Sequence, residues 1–550
     1  MTAPSTPRPI PSEVSQRTFD LIVIGAGVNG AGIARDAAMR GLSVLLLEQD
    51  DIASGTTDSS TRLIHGGLRY LEYYEFGLVR ESLRERERLL HIAPHLVQPL
   101  GFLIPIYSDM KRGPGMIRLG MIAYDVLSYD KSLPRHRMLS REETLRREPG
   151  LDPAGLLGAA FYYDGQIPFP ERLTLENALS ARDHGAIVLT YAQADRLLVE
   201  DGRVVGVHFT DRLQEGAYTA RGRVVVNAAG PWVDQVLTGL GTPRLIGGTK
   251  GSHIVVDPFP GAPKEALYVE ARADGRPYFI VPWNGRYLIG TTDLHYQGAL
   301  DPVVPDEEEI DYLISETNRV LPGAGLTRAD VLYAYAGVRP LPYTEAGTPG
   351  SITRRHIIYD HATATPAYPG LISIVGGKIT TYRSLAEEVV DLVFDKLDRP
   401  APPCPTGRIP LPGGNTTDWH AFAANFKATS GLDEPIADRL LRIYGTFAPE
   451  VLRIAGDDPR LRAPLSPSSL AIGAEILFAF RWELAQTLTD VLRRRTMTGW
   501  DPDAGLAEIE PAAAIARDYL GWDDARVRRE VEDYRRYVER FRPRQPAVAP

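Results

Sequence analysis

The sequence predicts an α/β domain built on a parallel sheet, followed by a helical C-terminal domain. Three observations carry this reading. FDLIVIGAGVNGAGIARDAAMRGLSVLLLEQDD at 19–51 reads as buried strand, glycine turn, helix and second strand. LISIVGGKITTYRSLAEEVVDLV at 371–393 repeats the pattern of strand, Gly-Gly turn and amphipathic helix. APPCPTGRIPLPGG at 401–414 is a Pro/Gly segment of the kind that separates domains, and a mostly helical pattern follows it. A chain of 550 residues is expected to hold two or three domains. The expected layout is a disordered Pro/Ser/Thr-rich tail over 1–18, a large domain over 19–400, a linker over 401–417 and a helical domain over 418–541.

The first strand is a continuous apolar run ending in glycine, as a buried parallel strand requires. The turn Gly25-Ala26-Gly27-Val28-Asn29-Gly30 follows directly. Gly25 permits the tight turn, Gly27 lets backbone approach a pyrophosphate, and Gly30 lets the helix pack close to the strand. The start of that helix offers free N–H groups to an anion. Glu48, closing the second strand, is placed to bind a ribose diol and disfavours a 2′-phosphate. A glycine fingerprint with strand, helix and acid all in place is a strong sign of a bound dinucleotide.

Composition limits the rest. Hydrophobic residues make up 44% and charged residues 24%, as in ordinary globular proteins, and net charge is −9. That balance gives no case for nucleic-acid binding. Cys404 is the one cysteine, so there is no internal disulfide or cysteine cluster, and no metal site is predicted. The first 18 residues lack the apolar core of a signal peptide. No uncharged apolar run reaches 18 residues, so no membrane-spanning helix is expected.

After Glu48 comes DDIASGTTDSSTRLIHGG, rich in small hydroxyl residues and then apolar. An extended chain of this kind suits a long dinucleotide whose ring system is held in a dry slot, which points to a flavin. LLVEDGRVVGVHF at 197–209 reads as a hairpin turning at Asp201-Gly202. RVVVNAAGPW at 223–232 reads as an apolar strand ending in small residues, where Ala229 and Gly230 let backbone approach a cofactor. The returning strand–Gly-Gly–helix at 371–393 completes the layout of a two-domain FAD oxidoreductase.

IVIGAGVNGAGIARDAA, SSTRLIHGGLRYLEYYEF, KGSHIVV, IGTTD, AGVRPL, ITRRH, GGKITTYR and TLTDVLRRRTMTGW occur in this order between about Asp20 and Phe541. Together they resemble the FAD-dependent glycerol-3-phosphate dehydrogenases. The resemblance implies a D-amino-acid-oxidase-like fold, in which a Rossmann-type FAD domain (about 19–80, 170–240 and 345–400) is interleaved with an antiparallel-sheet substrate domain (about 81–169 and 241–344). A C-terminal helical domain follows. It implies noncovalent FAD and hydride transfer from C2 of sn-glycerol 3-phosphate to flavin N5, giving dihydroxyacetone phosphate. It further implies electrons passed to ubiquinone or menaquinone by a cytoplasmic enzyme bound peripherally to the inner face of the cytoplasmic membrane; a homodimer is compatible with it.

The expected cofactor residues are Gly25, Gly27, Asn29, Gly30 and Glu48, then Thr56, Ser60, Thr61, Leu63 and His65. Ala229, Gly230, Gly376, Gly377, Lys378, Ile379 and Thr380 complete that set. For the substrate, a phosphate dianion needs fixed cations, preferably arginine forks. The resemblance assigns Arg339 and Arg354 as clamps, with Arg354 preferred over Arg355. It places Lys378 near flavin and substrate oxygen, at the predicted helix start, where a lysine opposes the helix dipole. A secondary alcohol also needs a base as its hydride leaves. His65 and His253 are the candidates; His65 is followed by glycines that suggest packing on the flavin, and His253 is read after a Lys-Gly-Ser turn. Tyr70 is a candidate hydrogen-bond partner of substrate. Where relatives commonly read Ser-Ser-Lys, this chain reads Ser60-Thr61-Arg62.

MKRGPGMIRLGMIAYDVLSYDK at 110–131 joins an apolar face to flanking cations, as a helix lying in a bilayer interface would. The basic run at 526–544 suits anionic lipid, a partner subunit or a solvated face. Three other readings stand beside it: an oxidase passing electrons to oxygen and making hydrogen peroxide; an amine or amino-acid oxidase, which would need a carboxylate clamp and not the paired arginines and lysine; and a non-catalytic flavin or membrane-binding module, against which the polar residues predicted around the flavin argue. The short segment from Arg339 to Gly376 favours the dehydrogenase over the oxidase.

Overall fold

The computed structural model describes residues 8–345 and 352–543. Within them the strands form two sheets, one of eight and one of ten strands. The first sheet runs in the order Ile357–Asp360, Leu371–Val375, Gly216–Asn227, Thr18–Ile24, Val44–Leu47, Ile187–Leu189. All its neighbours on this path are parallel except the edge strand Ile357–Asp360. Every residue of Val44–Leu47 and Leu371–Val375 is buried, because helices cover one face and a three-stranded meander the other. The meander contains the expected hairpin, Ala192–Glu200 and Arg203–Asp211, and both Asp201 and Gly202 have positive φ as its tight turn demands.

The second sheet is mostly antiparallel and follows the order Leu294–His295, Thr249–Val256, Arg286–Gly290, Pro277–Trp283, Ala266–Glu270, Gln98–Tyr107, Leu156–Gln166, Leu63–Ile64, with Val331–Arg339 also paired to Thr249–Val256. The chain crosses between the sheets repeatedly. Leu63–Ile64, inside the segment expected to belong to the FAD domain, pairs with Leu156–Gln166 of the second sheet. The cavity described below lies where the sheets meet.

Three local expectations change. The tail holds structure from Arg8 onward: Pro11–Val14 form a helical turn, Val14 is buried and Arg8 pairs with Asp211. Residues 1–7 lie outside the described residues. The segment over 401–417 is no free linker. Leu411 donates to Ile92 O, and Gly413 donates to Glu176, leaving its buried turn no room for a side chain beside His95. His253 follows no turn, because Thr249–Val256 is one strand buried along its whole length. Gly251 in that strand makes room for Arg339, whose guanidinium would lie 2.3 Å from an added Cβ.

The C-terminal helices include Glu434–Tyr444, Gly473–Trp482, Ile509–Leu520 and Asp524–Val538. Their apolar faces do not form a separate core. Leu440, Ile476, Trp500 and Tyr534 belong to one cluster with Phe102, Tyr162, Trp283 and Tyr335 of the second sheet.

Candidate functional site

One cavity of about 670 Å³ runs from Glu48 to Lys378 and is lined by all the expected site residues except Gly30. Its volume lies within the roughly 300–1,000 Å³ of cofactor and ligand pockets. At one end the first strand delivers the glycine turn. Gly25 has φ +100°, and a Cβ there would sit 2.7 Å from Ala228 O. Gly30 lies beneath the cavity, where its added Cβ would sit 1.8 Å from Gly25 O; it serves helix packing and not ligand contact. Glu48 accepts from Ala26 N at 2.7 Å and Asp50 N at 3.0 Å, fixing the turn, and burial pushes its carboxyl up to about 7. Asn29 Oδ1 accepts no hydrogen bond within the described protein. A glycine cradle, a buried acid and an unsatisfied amide oxygen along one slot fit a dinucleotide such as FAD.

The loop after Glu48 forms one wall. Thr57 Oγ1 accepts from Val28 N, while Thr56 Oγ1 donates to Val338 O, so Thr56 has a protein partner already. Thr61 Oγ1 lies 2.9 Å from His253 Nε2. Arg62 turns away from the slot, paired with Glu171 and stacked on Trp283 and Trp500. From the opposite side come Gly376 and Gly377, both at positive φ; an added Cβ at Gly377 would lie 2.9 Å from Asn29 Nδ2. The long helix starts only at Tyr382, after a 3₁₀ turn at Ile379–Thr381. Lys378 caps that turn, so the helix-dipole argument for it falls away.

The polar end of the cavity is built by His65, Tyr70, Arg339, Arg354 and Lys378, with His253 behind Thr61. Gly66 and Gly67, expected to admit the flavin, admit protein. A Cβ on Gly66 would lie 2.4 Å from Tyr124 Oη, and one on Gly67 would lie 2.1 Å from the Tyr70 ring. That close seat lets Lys378 Nζ stand 3.9 Å over the centre of the Tyr70 ring while donating to Ser82 Oγ.

The arginines are organised by a residue that received no role from the sequence. Asp293, in the IGTTD stretch, accepts from Arg339 at 3.1 Å and Arg354 at 2.9 Å, and lies 3.7 Å from Arg276. Burial raises the Asp293 carboxyl, but Arg339 and Arg354 outweigh it and hold the group below its usual range. One carboxylate therefore sets three guanidinium groups into a fan. Arg355 is exposed and stands outside it. The visible sequence signal was the motif itself; no local pattern shows that its last residue meets arginines 46 and 61 positions later.

Electrostatics separates the titratable groups. Burial, and after it the Lys378 ammonium, push His65 down to about 4. Burial pushes His253 well below 6.5, helped by Arg339 and Arg62. Burial lowers Lys378 to about 7, against the opposing pull of Glu81 and Glu75. Near neutral pH both imidazoles are neutral, and Lys378 is the group poised to exchange a proton. Glu81, His356 and Glu388 bring ligand-type atoms within 4.8 Å of one another. His356 already bonds Glu388, and Glu81 accepts from Ser384.

Comparison with known proteins gives the family. The family model described as FAD dependent oxidoreductase matches residues 20–383, and that of the C-terminal domain of alpha-glycerophosphate oxidase matches 404–527. A glycerol-3-phosphate dehydrogenase of Synechocystis is 49% identical over 96% of this chain and 97% of its own. An aerobic glycerol-3-phosphate dehydrogenase of Staphylococcus aureus is 33% identical over 96% of both chains. Among solved structures, a glycerol-3-phosphate dehydrogenase from Bacillus halodurans complexed with FAD superposes with a TM-score of 0.78, at 29% identity and 98% coverage of both chains. A glycine oxidase from Geobacillus kaustophilus, with TM-score 0.51 and 21% identity, shares the fold alone. The two-domain fold with its helical C-terminal domain, the dinucleotide cradle and these matches place the chain in the family of FAD-dependent glycerol-3-phosphate dehydrogenases.

Proposed function

We propose that this enzyme oxidises sn-glycerol 3-phosphate to dihydroxyacetone phosphate and delivers the electrons to a membrane quinone, ubiquinone or menaquinone. The observation that carries the substrate is the pair Arg339 and Arg354, both held by Asp293, lining the cofactor cavity together with Lys378. Bound FAD supplies the acceptor for the hydride from C2. Gly25, Gly27, Asn29, Glu48 and the Gly376–Thr380 turn are the residues that would hold it.

The protein's own work is binding and proton transfer. Arg339, which burial lowers only to about 10, stays charged and grips phosphate oxygens together with Arg354. Burial raises the Tyr70 phenol, so it remains a hydrogen-bond donor for the reacting oxygen. Lys378, in its neutral form, accepts the C2 hydroxyl proton at Nζ. His65 lines the same pocket as a neutral partner, and His253 positions Thr61.

Docking to the inner face of the cytoplasmic membrane falls to the Pro114–Leu127 helix. Met116, Leu119, Ile122 and Val126 are exposed along one face of it, Tyr73, Tyr74 and Phe76 are exposed as well, and Lys111 and Arg118 flank the face. No helix among the described residues is long and apolar enough to cross a membrane.

A second reading has one observation in its favour: the C-terminal match is to a domain of alpha-glycerophosphate oxidase. It keeps the substrate and makes oxygen the acceptor. Anaerobic mixing with sn-glycerol 3-phosphate tests both. Flavin absorbance is expected to bleach with this substrate and not with glycerol, glycine or sarcosine, and to return with a quinone analogue much faster than with air. Peroxide formed in near-stoichiometric yield would favour the oxidase, and bleaching by glycine or sarcosine alone would sink the substrate assignment.

A further inference from the structure

The stretch TLTDVLRRRTMTGW contains three consecutive arginines in the C-terminal domain, and all three are buried. Side chains in such a row diverge on an ordinary α-helix. Here Val491–Arg495 forms a π-helical turn, with Thr496 N bonded to Val491 O, and the row is re-aimed. Arg494 Nε donates to Asp51 Oδ2 at 2.5 Å. Arg495 grips both oxygens of the same carboxylate, at 2.8 and 2.7 Å. Arg493, sandwiched between the rings of Trp500 and Phe541, lies 3.6 Å from Asp58.

Asp58 lines the FAD cavity, and Asp51, buried behind it, follows directly on the lining residue Asp50. Between and just beyond them stand Ser54, Gly55, Thr56, Thr57, Ser60 and Thr61, all lining it. Glu171 holds the far end of the segment through Arg62. The loop thus has its polar face on the cofactor and its carboxylates on the C-terminal domain. Buried ion pairs are a poor means of raising stability, since apolar residues of equal volume often do as well. Their directional forks fix the register of a chain that has little regular structure of its own.

We propose that the Arg493–Arg495 turn is a clamp through which the C-terminal domain positions the Asp51–Asp58 loop and so retains FAD. These arginines are positioning residues that act through the loop, away from the reacting atoms. The proposal needs FAD binding alone and does not depend on the substrate or electron acceptor.

The test compares full-length variants loaded with FAD. Asp51→Asn and Arg493→Met loosen the clamp. Glu483→Gln weakens a different buried pair, Arg172–Glu483, that also fastens the C-terminal domain. FAD release is followed by the rise of free-flavin fluorescence at a fixed interval below each variant's melting temperature. Hydrogen exchange of residues 52–61 is measured in the FAD-free proteins. Release is expected to accelerate roughly tenfold or more in the clamp variants, with faster loop exchange, and to change less than about twofold in Glu483→Gln. Arg495→Lys, which keeps the charge and loses the fork, is expected to fall between wild type and Asp51→Asn. Release that tracks melting temperature across all variants, or loop exchange unchanged by Asp51→Asn and Arg493→Met, would overturn the clamp.

Discussion

Asp293 shows how one residue can order a site from behind its lining. With Asp293 replaced by asparagine, Arg339 and Arg354 lose their shared counter-charge and their common aim. A charge-assisted hydrogen bond contributes about 1.5–3 kcal/mol, so KM for glycerol 3-phosphate is expected to rise roughly 10- to 100-fold, with a smaller fall in kcat. An unchanged KM would detach Asp293 from the phosphate. Lys378 makes the second prediction. Because burial lowers its ammonium to about 7 and the neutral amine is the proposed proton acceptor, kcat/KM should rise with pH through that value. Lys378→Met should remove the limb and lower kcat by roughly 10²–10⁴. If the limb survives and disappears instead in His65→Asn, the proton belongs to the histidine. The glycine turn and Glu48 could be placed along the cavity from the sequence because each stands in a motif with one physical job, whereas Arg339 and Arg354 came from the resemblance. Asp293 and Arg276 could not, since their role exists only where distant strands converge. The Gly66-Gly67 pair announced that something comes close, and the protein neighbours there are Tyr124 and Tyr70, which the sequence could not name.

Strands and helices with strong periodicity were legible as elements. The first strand, the hairpin at Asp201-Gly202 and the strand–Gly-Gly–helix unit lie where apolar runs and turn residues placed them. His253 was misplaced because a Lys-Gly-Ser sequence has turn chemistry, while tertiary packing holds it as a fully buried strand. The Pro114–Leu127 helix poses a sharper question, because amphipathic spacing is the same for a helix facing a core and one facing lipid. In the fold it has both: Met121 and Tyr124 face inward, and four long apolar side chains face out. Leu119→Glu with Val126→Glu should therefore abolish co-sedimentation with anionic vesicles and leave turnover with a soluble electron acceptor intact. Retained vesicle binding would move the membrane contact elsewhere.

For the molecule as a whole, pH acts through two opposed sets of buried groups. Burial lowers His65 and His361 to about 4, so the unfolded chain binds more protons between pH 4 and 6.5, and stability falls as pH drops through that window. Burial raises Glu48 and Glu171 to about 7 and Asp501 to about 6, so the folded chain binds more protons there, and stability rises as pH drops from 7 toward 4.5. The melting temperature of the FAD-free protein should hold a plateau between pH 7 and about 5. Below about 4 it should fall steeply, as carboxylates held low by cations, such as Asp293 and Asp211, protonate. A steady decline beginning at pH 7 would show that the histidines dominate. The same integration has a consequence in time. Tyr537, Arg540 and Phe541 line the cofactor cavity, and Arg540 reaches Asp301 across it, although the glycine turn that begins the cavity lies more than 500 residues earlier. During synthesis the turn leaves the ribosome early, but the pocket has no finished wall until the last helix has emerged. A chain cut short before Tyr537 is expected to lack this wall and to release FAD faster than the full-length protein.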